Sequence, residues 1–320
     1  MTRPLLSVQR LGNSFTQKHG WLLKKRVEIL KNICFDMTAG DIFCLIGESG
    51  SGKSTLINCI MGLNRIQTGA IYFKGALACN PNGPDAPGFK QLRDLTQLVF
   101  QSPAAALSPH MTLKQSIEEA LLTFPAEQRR SIAMEKAAMA DLDTNMLARY
   151  PFQVSGGQKQ RICIARALCS NPELIVLDEP LASLDLLSKH RIADLLINLN
   201  QKEKISLFMV SHDLAIVKRM ATKITVIYMG CIMESAPAEI FFAGPCHPYS
   251  RVLLSSALEP WLWPASRVKP VGEIPFFNAR PNGCPFHPRC PEKKRRCTVE
   301  FPEPVEPGRN HLVFCHGVSP

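Results

Sequence analysis

No apolar run in this chain approaches the roughly 20 residues that a membrane-spanning helix requires, so the chain is not expected to span a membrane itself. The opening residues, MTRPLLSVQRLG, lack the continuous apolar segment of a secretory leader. Together these absences make the cytoplasm the expected compartment, where disulfides are rare. Internal repeats and low-complexity tracts are missing too. Acid is in short supply: 27 Asp and Glu stand against 37 Lys and Arg, a net charge of +10. That balance admits nucleic acid, anionic lipid or nucleotide as a partner, and equally a basic enzyme beside a membrane surface.

What is present is ample core material. The chain has 320 residues, 46% of them hydrophobic and 20% charged, enough for one large domain or two ordinary ones. From about residue 5 to 244 short apolar runs alternate with amphipathic segments, the pattern of an α/β fold. DIFCLIG (41–47), LIVLD (174–178) and ISLFMV (205–210) read as strands, and KSTLINCIMGL (53–63) as a helix. Ile192, Leu195, Leu196 and Leu199 fall at i, i+3, i+4 and i+7, one face of a helix. ITVIYMGCIME (224–234) reads as a hairpin turning at Met229-Gly230. Residues 104–152 are Ala-rich and helical in character, an insert in the α/β core. NPNGPDAPG (80–88) reads as a surface loop. After about 245 Pro and Cys rise and periodicity fades, so a boundary is placed there, between domains 1–244 and 245–320.

GESGSGKST follows a strand and opens a helix, where the G-x-x-x-x-G-K-[ST] phosphate loop belongs. Its residues Gly47, Glu48, Ser49, Gly50, Ser51, Gly52, Lys53, Ser54 and Thr55 are the candidates for binding ATP. The glycines let backbone N–H groups turn toward phosphate, and the helix start adds its positive dipole end. Lys53 would reach the β- and γ-phosphates, and Ser54 would bind Mg²⁺. LIVLDEP ends a strand in two carboxylates that alternation points to different sides. Asp178 suits the magnesium, and Glu179 suits the attacking water as general base. Past other strand ends stand His212, placed to reach a γ-phosphate, and Gln101; Asp185 is positioned either for the site or to cap the next helix. VSGGQKQR (154–161) is an anion-gripping loop with no base, metal ligand or phosphate-directed lysine.

In order and spacing these segments resemble the ATPase domain of ABC transporters over residues 5–244. They supply a Walker A segment, a Q-loop at Gln101, a signature VSGGQ, a Walker B segment LIVLDE, a D-loop SLD and an H-loop at His212. Val154 replaces the more usual Leu of the signature. The resemblance implies an α/β P-loop core with a RecA-like sheet, an antiparallel β subdomain and a helical subdomain at about 104–160. It also implies that Ser155, Gly156, Gly157 and Gln158 serve nucleotide held by a partner ATPase, so that ATP closes a head-to-tail dimer and hydrolysis releases it. In this family an aromatic near the chain start stacks on adenine; Phe15 and Trp21 are the candidates.

KHGWLLKKR (18–26), His247-Pro248-Tyr249 with its flanks, and GEIPFFNARPNGCPFHPRCPEKKRRC resemble the dipeptide and oligopeptide (peptide/nickel) importer subfamily of these ATPases. Of twelve cysteines, eight, including Cys34, Cys44, Cys59 and Cys163, are scattered and expected to pack. Cys284, Cys290, Cys297 and Cys315 form C-x5-C-x6-C-x17-C, without the paired C-x2-C of common zinc ribbons. Tetrathiolate suits an iron–sulfur cluster or Zn²⁺, and relatives with this tail can hold a [4Fe–4S] cluster. The basic run Lys293 to Arg296 is expected on the solvated surface.

The subfamily resemblance implies an ATP-hydrolysing subunit of an importer for di- or oligopeptides, peripheral on the cytoplasmic face of the inner membrane. Its implied partners are a second ATPase of paralogous sequence, two membrane permeases and an extracytoplasmic solute-binding protein, with no nucleic acid. A same-subfamily ATPase for nickel or metal chelates stands beside that reading. From another class stands a soluble ABC ATPase acting on nucleic acid or ribosomes; the very long insertion or second ATPase domain of such proteins is missing here.

Overall fold

The computed structural model describes residues 3–19, 23–84, 87–257, 272, 275 and 277–319. Trp21 lies outside them. In chain order the strands are β1 (Leu6–His19), β2 (Leu23–Met37), β3 (Ile42–Ile46), β4 (Thr68–Phe73), β5 (Ala76–Cys79), β6 (Thr96–Val99), β7 (Leu174–Asp178), β8 (Ser206–Val210), β9 (Lys223–Tyr228), β10 (Cys231–Pro237), β11 (Val305–Gly308) and β12 (His311–Val313). The helices are α1 (Lys53–Ile60), α2 (Pro87–Leu95), α3 (Pro103–Ala106), α4 (Leu113–Glu119), α5 (Ala126–Met139), α6 (Gly156–Leu168), α7 (Leu186–Glu203), α8 (Leu214–Met220), α9 (Ala238–Ala243) and α10 (Pro248–Ala257). The chain divides into two compact units: residues 1–38, 43–90 and 212–320 form one, residues 39–42 and 91–211 the other.

The first unit holds an antiparallel sheet in the order β2-β1-β4-β5. Strict alternation along β2 buries Ile33, Phe35 and Met37 and turns Asn32, Cys34 and Asp36 outward. Cys34 is therefore exposed, against the expectation that it packs, because a one-residue step puts it on the solvent face. Cys44, Cys59 and Cys163 are buried as expected. In the same unit β3 runs parallel to β9, β9 and β10 form a hairpin, and β12 pairs with β10 and with β11. The hairpin turns where Met229 and Gly230 both have positive φ, 46° and 70°, the conformation that matches strand twist. A Cβ at Gly230 would fall 1.6 Å from the Ile29 carbonyl oxygen, so only glycine fits there.

Several of the described residues after 245 are packed into the interior despite the faded periodicity. Tyr249 and Phe286 are fully buried, and β12 extends the ladder of β10. The buried Glu234 carboxylate accepts from the backbone N–H groups of Cys246 (2.8 Å) and His247 (3.0 Å) and pairs with His311 Nε2 at 2.7 Å. One acidic side chain thus ties the entrance to α10 and strand β12 to β10.

The second unit contains β6, β7 and β8 in parallel. Leu174, Ile175, Val176 and Leu177 show no exposed surface, as expected of a strand covered on both faces. Burying each such side chain contributes about 1.5–3 kcal/mol. Ile192, Leu195, Leu196 and Leu199 of α7 are all buried, as their spacing predicts. The Ala-rich block is helical but broken, with Pro103 and Pro125 standing at the starts of α3 and α5. Ala133 and Ala137 of α5 and Ala165 of α6 are buried, and such small residues let helices approach closely.

Candidate functional site

In the first unit the loop 47–52 leaves β3 and enters α1. A Cβ at Gly47 would lie 2.2 Å from the Ile227 carbonyl oxygen, and Gly50 and Gly52 take φ of 74° and 102°. These glycines are demanded by close backbone approach and by left-handed backbone. No side chain caps α1, whose N-cap is Gly52, and a helix start of this kind favours an anion. Lys53 Nζ donates to the carbonyl oxygens of Gly47 (2.8 Å) and Glu48 (2.9 Å), curling the loop around itself. Ser54 is exposed on the first turn, with Thr55 half-buried beside it. Phe15 stands on β1 with 47% of its surface exposed.

In the second unit β7 ends on Asp178, half-buried, and the next residue breaks the strand geometry. Glu179 takes φ 46° while its N–H donates to the Val210 carbonyl oxygen at 3.0 Å. A non-glycine residue in left-handed backbone is strained, and such strain gathers at functional sites. Gln101 Nε2 donates to Glu179 Oε2 at 3.2 Å, which joins two of the residues singled out by sequence. Ser155 caps α6 reciprocally: its hydroxyl accepts from the Gln158 N–H (3.3 Å), and Gln158 Oε1 accepts from the Ser155 N–H (2.9 Å). Asp185 caps α7 by accepting from the Ser188 N–H at 2.9 Å, and those hydrogen bonds hold its carboxyl below the usual range. A Cβ on Gly157 would meet Ser188 Oγ at 3.0 Å and one on Gly156 would meet Leu184 Cδ2 at 3.2 Å, so the start of α6 abuts the SLD segment and the first turn of α7. An open groove of about 750 Å³ runs past Ser155, Gly157, Gln158, Arg161 and Ser188. His212, grouped with the first unit, is exposed one residue before Asp213, the cap of α8.

Sequence reasoning missed what grips the loop from the C-terminal side. Arg289 reaches the Glu48 carboxylate with both terminal guanidinium nitrogens, Nη1 at 2.7 Å and Nη2 at 3.0 Å. The Glu48 N–H donates to Tyr249 Oη at 2.9 Å. The flanking Cys284 and Cys290, together with Cys297, Cys315 and His247, line one cavity of about 90 Å³. All four thiols are free of disulfides. Burial pushes Cys284 up to about 12 and Cys290 up to about 11. Among the described residues the one trio of ligand atoms within 4.8 Å of one another is Glu234, Cys246 and His311, so the tail thiols converge on their cavity at wider spacing. Lys293 to Arg296 are exposed, as expected.

A glycine-built phosphate loop at a helix start, with a strand ending in two carboxylates, defines a P-loop ATPase. Residues 30–182 match the family model described as ABC transporter, and residues 233–297 match that of the oligopeptide/dipeptide transporter, C-terminal region. The chain is 36% identical to the probable peptide ABC transporter ATP-binding protein y4tS of Sinorhizobium fredii, over 100% of this chain and 92% of that one. It is 35% identical to the oligopeptide transport ATP-binding protein AppF of Bacillus subtilis, over 98% of this chain and 97% of that one. For the dipeptide transport ATP-binding protein DppF of Escherichia coli the identity is 34%, over 100% and 96%. The dimeric post-hydrolysis structure of the ATP-binding cassette MJ0796, bound to ADP and Pi, superposes with a TM-score of 0.63 at 28% identity, over 73% of this chain and 98% of that one. The chain belongs to the ABC transporter ATP-binding proteins, in the group that carries the oligopeptide/dipeptide C-terminal region, and it is an ATPase. No helix among the described residues is long and apolar enough to cross a membrane.

Proposed function

We propose that this chain energises a membrane importer of di- or oligopeptides. The observation that carries this reading is full-length similarity, tail included, to ATP-binding proteins of peptide transport. The chain would sit on the cytoplasmic face of the inner membrane, under two permeases and beside a paralogous ATPase, with an extracytoplasmic protein delivering solute.

The residue roles follow from the chemistry. The loop N–H groups, Lys53 and the α1 terminus would hold the phosphates, and Phe15 would stack on adenine. Ser54, Gln101 and Asp178 offer the oxygen donors that suit a hard cation; Mg²⁺ held there would neutralise phosphate charge. Glu179 would take the proton from water as its oxygen attacks the γ-phosphorus and ADP departs. His212 would hydrogen-bond the γ-phosphate. Ser155, Gly156, Gly157 and Gln158, at an α6 terminus free of acidic residues in its first turn, would contact nucleotide on the partner ATPase.

Cys284, Cys290, Cys297 and Cys315 would hold a [4Fe–4S] cluster, with Zn²⁺ as the alternative. The four thiols line one cavity, and a tetrathiolate set suits either group. A cluster there would staple the tail and store an electron. Anaerobic purification is expected to give about four iron atoms per chain, lost in Cys297→Ser. One zinc per chain would support the alternative, and no metal would overturn both. Loading is expected to strengthen as pH rises, because thiols held above their ordinary range must lose protons to bind.

The decisive test of the importer reading is purification of Glu179→Gln with ATP from detergent-solubilised membranes. Two polytopic permeases and a second ATPase should copurify. Recovery only with nucleic acid or ribosomes would overturn the reading.

A further inference from the structure

Glu48 is a carboxylate within a loop that must hold a polyphosphate. Unpaired, it would oppose that ligand by like-charge repulsion. Three side chains converge on this one residue. Its side chain receives the Arg289 fork at 2.7 and 3.0 Å, its N–H donates to Tyr249 Oη at 2.9 Å, and its carbonyl oxygen accepts from Lys53 Nζ at 2.9 Å. Lys53 belongs to the loop's own motif. The other two partners come from the C-terminal extension.

We propose that Arg289 and Tyr249 are positioning residues for ATP binding, acting through Glu48: Arg289 cancels the carboxylate's charge and Tyr249 fixes the backbone direction of the loop. Neither partner is a floppy surface group. Arg289 is 5% exposed and Tyr249 wholly buried. The guanidinium lies against the rings of Tyr228 and Phe286, 5.8 and 5.9 Å from their centroids, and also donates to Tyr228 Oη at 3.3 Å. Tyr228, Tyr249 and Phe286 pack on one another with centroids 4.6 to 5.4 Å apart. A planar fork in such a slot binds a carboxylate bidentately, which a lysine cannot reproduce. Burial works against the Arg289 charge, yet bonds to Glu48 and Tyr228 outweigh it and the net shift is upward.

The test uses the full-length chain, with Mg-ATP and Mg-ADP binding measured separately from turnover. Arg289→Ala is expected to weaken both nucleotides about tenfold with kcat changed less than about threefold, because a contact made equally in ground and transition states moves KM. Adding Glu48→Gln to Arg289→Ala removes the freed charge and is expected to recover about threefold in affinity. Arg289→Lys should fall between wild type and Arg289→Ala, and Tyr249→Phe should weaken both nucleotides about threefold. A folded Arg289→Ala with unchanged affinity overturns the proposal, and so does a double variant that binds more weakly than Arg289→Ala. If Arg289→Ala does not fold, wild-type affinity in both Arg289→Lys and Tyr249→Phe overturns it. The proposal rests on the ATPase reading of the loop and not on the solute. Wild-type protein that binds no ATP would count against that reading, whereas wild-type binding with indifferent variants counts against the proposal alone.

Discussion

Glu179 holds a left-handed backbone with φ 46° at the point where β7 stops. For a residue with a Cβ this conformation costs about 1–2 kcal/mol. Stability and activity should therefore part company here. Glu179→Gly is expected to leave the unfolding midpoint unchanged or raise stability by up to about 1 kcal/mol, while ATP turnover falls about 10²- to 10⁴-fold. Glu179→Gln should lose turnover similarly while still binding Mg-ATP; phosphate release and nucleotide titration separate the two effects. These positions were legible in the sequence because phosphate chemistry needs particular residue types at short, fixed intervals, as in Gly47 to Thr55. Glu48 with Arg289 was not legible. The two are 241 positions apart, and no periodicity or spacing joins a loop carboxylate to an arginine in a Pro- and Cys-rich tail.

At the scale of elements, caps and clamps do work that apolar patterning does not reveal. Ser155, the serine of the VSGGQ segment, is also the N-cap of α6. Ser155→Ala should cost about 1 kcal/mol of stability in addition to any loss of activity. Asp185 caps α7, and its carboxyl is held below the usual range by hydrogen bonds from Ser188. Its contribution is present above the unfolded value of 3.8 and is lost as pH falls through the lower folded value. Asp185→Asn should flatten that acid loss in pH-dependent denaturant titrations. Glu234 has no exposed surface and is bound by His311 and by two backbone N–H groups. Glu234→Ala should destabilise the protein by about 3–5 kcal/mol, because the His247 N–H and His311 left behind are buried. Strands such as β7 and the hairpin of β9 and β10 were legible from continuous apolar runs and from Met229-Gly230. The tail's order was not, since Tyr249, Phe286 and Glu234 are joined by tertiary packing between short, irregular segments.

For the whole molecule, the C-terminal extension shares a unit with the phosphate loop. Phe286→Ala, at the centre of the aromatic cluster, should cost about 3–5 kcal/mol in denaturant unfolding. The Arg289–Glu48 pair also bears on recombination. A chimaera joined at 244/245 keeps every nucleotide motif of one parent and takes its tail from another. Such a hybrid inherits one half of a charge pair from each parent, and is expected to bind nucleotide normally only when the incoming tail supplies a cation facing the resident acid at 48. Loop and tail would then change in step among relatives, so that a substitution at either position is tolerated chiefly alongside its complement.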